Sequence, residues 1–153
     1  MPAVRIDRGV AMPSSVAAAC LRRVLEGYAD RGDLSLTMPL GAAGAAVSVP
    51  IVVAVESSAS GELPVKLSVQ AREHRAWFPA FEGRVTAEDR GPLECVLRLE
   101  GGVAAPFGPL GALAGRTLLG GAAEHSLSLF VERLCADIAQ EVRREELHVR
   151  SEL

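Results

Sequence analysis

The 153 residues predict an α+β domain in which an antiparallel β-sheet packs against a long C-terminal amphipathic helix. Three observations carry this. From Leu34 to Gly101 apolar residues recur at every second position in runs separated by turn residues, the period of half-buried strands. From Leu119 the period changes, with Leu119, Ala123, Leu127, Phe130, Leu134 and Ile138 three and four apart, the spacing of one helix face. A shorter helical face, Val16, Cys20, Val24 and Tyr28, precedes the alternating runs.

Taken in order, Val4 and Ile6 alternate with Arg5 and Asp7 and predict a short strand over 3–11. Ser14 or Ser15 is placed to accept a backbone N–H at the start of the first helix. Gly27 interrupts that helix, so two short helices with a bend are expected, followed by a charged turn over 30–33. The run 36–55 has no charged residue, yet Pro39, Gly41, Gly44 and Pro50 break it and Val47, Val49, Ile51, Val53 and Val55 alternate, so it reads as strand and not as a membrane span.

The cluster 57–61 predicts a hairpin turn, after which Val65, Leu67, Val69 and Ala71 face inward from a strand with a polar outer face. Phe81, Gly83, Val85 and Ala87 form the next inward set, and residues 89–92 turn the chain into Cys95, Leu97 and Leu99. Gly83 on the inward side predicts either a bulge or a place where something bulky lies against the backbone. Residues 101–121, rich in Gly and Pro, read as a loop with one helical turn; the final helix follows for about six turns, and 145–153 read as a fraying charged tail. The domain is thus expected to span 1–144.

At this length one core is attainable without metals or disulfides. Only 4% of the residues are aromatic, so Val, Leu and Ala must fill most of it, and the few rings set volume and specificity. With a net charge of -3 and arginines interleaved with Asp and Glu, there is no basic stripe for a nucleic acid to follow. Cys20, Cys95 and Cys135 have no pairing spacing and lie in apolar-periodic segments, as buried thiols do. With no apolar h-region at the N-terminus, the expected compartment is the cytoplasm.

In the order of its elements, and in the segments Trp77-Phe78-Pro79-Ala80-Phe81-Glu82-Gly83 and Pro106-Phe107-Gly108-Pro109-Leu110-Gly111 followed by the helix 123–142, the chain resembles the START-like or SRPBCC superfamily. The resemblance covers roughly residues 4–142. It implies a helix-grip fold, a curved antiparallel sheet wrapped around the C-terminal helix, with a cavity between them. Proteins of that kind include lipid-transfer domains and polyketide cyclases or aromatases, so the resemblance implies a fold and a cavity more than a reaction.

Chemical motifs are few. No HxH, HExxH or paired cysteine spacing occurs, and no GxGxxG, Walker or GxSxG signature, so neither metal, cofactor nor catalytic residue is predicted. Glu82 alternates outward, His125 lies on the polar helix face and His148 in the tail. His74 ends a strand just before the ring cluster, where it reads either as a surface histidine or as a polar group at a cavity mouth.

The leading expectation is noncatalytic binding or transport of a small hydrophobic molecule, lined by Trp77, Phe81, Phe107, Leu110, Leu127, Phe130 and Leu134, with His74 as the polar contact. A core filled by side chains fits the same pattern. A second expectation is a cyclase or aromatase, for which His74 and Tyr28 are the protonatable candidates. The third is a protein-interaction module, such as a homodimer joined through the edge of the meander or the Gly-Pro-Leu loop.

Overall fold

The computed structural model describes residues 3–39, 46–56, 64–73, 75, 78–104 and 119–152. Its elements are β1 (Ala3–Val10), α1 (Ser14–Asp30), β2 (Ser35–Pro39), β3 (Ala46–Val55), β4 (Val65–Ala71), β5 (Ala80–Gly91), β6 (Glu94–Ala104) and α2 (Leu119–Glu152). The strands form one antiparallel sheet in the order β1-β6-β5-β4-β3-β2. β2 to β6 follow as a meander, and β1 joins last, beside β6. α1 and α2 pack on each other and on the inner face, with α2 touching β1 at one edge of the sheet and β2 at the other.

Registers align the predicted inward residues into rows. Val53, Val69, Phe81 and Val103 oppose one another across four strands, and Val65, Val85, Leu99 and Ile6 do so across another four. All eight are buried, and α2 adds Leu127, Phe130, Val131, Leu134 and Ile138 to the same core. The alternation therefore reflects a sheet with one dry face and one wet one.

Between those rows lies a third, Val55, Leu67, Gly83, Gly101 and Val4. Its glycine pair is a close backbone approach: a Cβ on Gly83 would stand 2.3 Å from the Glu100 carbonyl oxygen, and one on Gly101 would stand 2.2 Å from the Glu82 carbonyl oxygen. Neither pairing of β5 shifts register at Gly83, so the expected bulge is not there. Instead the Phe81 ring occupies the position over Gly83, with Cζ 2.6 Å from where a Cβ would be. The bulky neighbour is the chain's own.

Several local expectations are corrected. Pro13, not Ser14 or Ser15, is the N-cap of α1; its carbonyl accepts the N–H groups of Val16 and Ala17, and no side chain caps the helix. Proline arrives with extended geometry already set, at φ -60° and ψ 146°. α1 runs unbroken through Gly27, because Leu25 and Tyr28 on either side are buried and their burial outweighs the roughly 1 kcal/mol that glycine costs a helix.

The β5–β6 connection is tighter than the turn expected over 89–92. Only Pro92 and Leu93 separate the strands, and the register shift falls between Asp89 and Gly91. Gly91 has φ 149° and donates its N–H to Asp89 Oδ1, a bulge that side-chain-bearing residues disfavour. β6 continues through Gly101 and Gly102 to Ala104, residues expected in a loop, and α2 continues through 145–152, expected as a frayed tail. The first extension is stabilised by pairing with β1 and β5; at the second, Glu145 forms an ion pair with Arg23 of α1. The predicted hairpin turn over 57–61 and the loop over 105–118 lie outside the described residues. Among those residues, no helix is long and apolar enough to cross a membrane.

Candidate functional site

Between the sheet and the first described turns of α2, side chains leave a cavity of about 40 Å³. Val69, Phe81 and Val103 form its floor, Leu127 its helix side, and Phe78, Pro79 and Ala80 border it where the chain enters β5. Ser126 and Gln70 are its polar members. The space is large enough for a water or a methyl group and well short of the roughly 300–1,000 Å³ of pockets that enclose a drug-sized ligand.

Ser126 is the only buried polar residue among those described. Its Oγ donates to the Thr37 carbonyl oxygen of β2 at 2.9 Å. β2 is the last strand of the sheet, so this bond ties an edge carbonyl to the helix that covers it. Sequence reasoning passed over Ser126 because a serine beside an apolar helix stripe is normally solvated; its position one residue before Leu127 was the available signal.

Farther along α2 a second cluster forms. Tyr28 of α1 donates its phenol proton to Asp137 Oδ2. Its ring stands edge-on to Phe130 at 5.9 Å between centroids, and the Arg133 guanidinium lies 5.9 Å from the ring centre. Burial, and after it the Asp137 carboxylate, push the Tyr28 phenol well above its ordinary range. Asp137 is ten positions from Leu127, about 15 Å along a helix. Tyr28 therefore belongs to the α1–α2 contact and does not line the cavity, contrary to its candidacy as a proton donor there.

The thiols also lack activated surroundings. Burial raises Cys20 and Cys95, and it pushes Cys135 up to about 11, so all three are protonated near neutrality. Among the described residues no three His, Cys, Asp or Glu side chains converge as metal ligands would.

Of the residues predicted to line a ligand, Phe81 and Leu127 border the cavity. Phe130 and Leu134 are buried in the core beyond it, the former against Tyr28. His74, Trp77, Phe107 and Leu110 lie outside the described residues. Glu82 is exposed on the outer face, as its alternation predicts.

A curved antiparallel sheet whose two edge strands both touch one long C-terminal helix is now established by the pairing and the contacts. The fold is a helix grip. No family model matches the sequence, and no curated protein does.

Solved structures show a similar chain path. An aromatase/cyclase from a Streptomyces species is 17% identical over 92% of this chain and 95% of its own, with a TM-score of 0.48. A protein of Thermus thermophilus is 14% identical over 92% and 99%, at 0.47. A START superfamily protein from Mycobacterium smegmatis is 19% identical over 86% and 98%, at 0.38. The fold assignment rests on the strand order and helix contacts of this chain.

Proposed function

We propose that the chain binds a small apolar molecule, without catalysis, between the sheet and α2. One observation supports this above the others: the space that side chains leave unfilled under α2 is walled mainly by apolar residues, with Ser126 and Gln70 as its few polar groups. The proposed ligand contacts are Phe81, Leu127, Phe130 and Leu134 together with Trp77, Phe107 and Leu110, and His74 is the proposed polar contact.

At about 40 Å³ the space is too small for such a guest with every side chain in place, so the ligand enters by displacing a side chain. Phe81, a buried ring of the cavity wall, is the side chain proposed to move. Three free cysteines fit a reducing compartment, and the proposed setting is the cytoplasm.

The test is a titration with fatty acids and polycyclic aromatics, following Trp77 emission and melting temperature together. A saturable emission change with a rise in melting temperature is expected for at least one class. A flat response from folded protein across both classes overturns the reading.

A further inference from the structure

α2 treats the two edges of the sheet differently. At β2 it closes on the strand, and Ser126 occupies an edge carbonyl. At β1 an open groove of about 490 Å³ is lined by Arg5 to Arg8 on the strand side and by Glu124, His125 and Ser128 on the α2 side, and Arg8 crosses it to Ser128. Among the described residues, the only backbone hydrogen bond β1 makes outside its ladder with β6 is the one Val10 accepts from Met12. β1 is the end strand of the sheet, and among the described residues the N–H and C=O groups on its outer side have no other backbone partner.

We propose that this edge pairs with the same edge of a second copy, antiparallel, about a twofold axis at Ile6. The register follows from burial and charge. Ile6 and Val10 are buried while Arg5 and Asp7 are exposed on the outer face, so opposed residues must share a face and only registers two residues apart remain. Centring the axis on Ile6 sets Arg5 against the partner's Asp7, and Asp7 against the partner's Arg5. Shifting the axis to Arg5 opposes two arginines, and shifting it to Asp7 opposes two aspartates. One register is attractive, and its neighbours are repulsive.

That register also extends a charge row already present. On the outer face Arg84 of β5 pairs with Glu100 of β6 at 2.9 Å, and Glu100 stands opposite Arg5 of β1. Asp7 accepts from Arg98 of β6 at 3.0 Å. Across the axis the signs therefore alternate without a break: Arg84, Glu100, Arg5, the partner's Asp7, the partner's Arg98.

On the inner face Ile6 meets the partner's Ile6. Arg8, the one inward charge of β1, is held by Ser128 at 3.1 Å and Glu132 at 2.6 Å of its own helix, so its stem lies beside the partner's Val4. The interface is isologous, as a twofold dimer requires, and it is independent of the ligand reading. Its short span places it among weak, transient contacts.

The experiment is sedimentation of the full chain with two single variants. Wild type is expected to show reversible dimerisation at concentrations up to about 1 mM. Arg5→Glu sets glutamate against aspartate twice and Asp7→Arg sets arginine against arginine twice, so each variant alone is expected to associate at least tenfold more weakly. Their equimolar mixture is expected to recover the dimer, because both contacts are then oppositely charged. Monomeric wild type throughout, an undiminished single variant, or a mixture that stays monomeric overturns the proposal. Should either variant fail to fold, oxidation of an Arg5→Cys/Asp7→Cys chain decides: a disulfide between position 5 and the partner's position 7 supports the register, and its absence refutes it.

Discussion

Phe81→Ala probes the link between packing and binding. The ring is 4% exposed, opposes Val69 and Val103 across its neighbours, lies over Gly83 and borders the cavity under α2. Removing it withdraws a fully packed aromatic ring and joins its volume to about 40 Å³ already unfilled. Because the site is walled by strand backbone that is already closely approached at Gly83 and Gly101, collapse is limited, and the loss should fall at about 3–5 kcal/mol. For a domain of this size that is a fall in melting temperature of roughly 6–20 °C. Thermal and denaturant unfolding measure it.

The enlarged space is apolar, so benzene or a similar small aromatic should enter it. At ten times its dissociation constant such a guest restores about 1.4 kcal/mol. Wild type should show no comparable stabilisation by so small a probe. A variant within about 1 kcal/mol of wild type, or one that no small aromatic stabilises, would refute the argument that Phe81 fills the space a ligand would take.

Gly101→Ala should destabilise by about 1–3 kcal/mol or more, because the added methyl meets Glu82 carbonyl oxygen and Gly83 Cα, backbone atoms that cannot rotate away; denaturant melts that match wild type would contradict the close approach. Tyr28 should resist ionisation at high pH. Its folded pKa lies above the unfolded value of about 10, so its contribution to stability is fully present below that value and is lost as the pH rises through it toward the folded one. Tyrosinate absorbance developing only together with alkaline unfolding, and a flatter alkaline stability curve for Tyr28→Phe, are the expected measurements.

The sequence by itself determined the class of nearly every described element, because periods of two and of three to four are local consequences of which face is dry. Val65, Leu67, Val69 and Ala71 announce a half-buried strand, and Leu127, Phe130, Leu134 and Ile138 a buried helix stripe, without reference to any partner. It also placed Phe81 and Leu127 correctly on the inner side, and Glu82 outside. Boundaries were less legible. Gly101 and Gly102 look like loop until β1 pairs with them, and 145–152 look like tail until α1 supplies Arg23 for Glu145.

Only the tertiary structure decided how much space the grip leaves. Periodicity says which way a side chain points and nothing about the distance to what it meets. That the Phe81 ring settles over Gly83, that Ser126 reaches the Thr37 carbonyl, and that Tyr28 is spent on Asp137 away from the cavity each depend on contacts that the tertiary fold brings about. The groove at the β1 edge is of the same kind: the alternating Arg5 and Asp7 are visible in the sequence, but the groove that they line together with α2 exists only once the helix has been laid across the sheet.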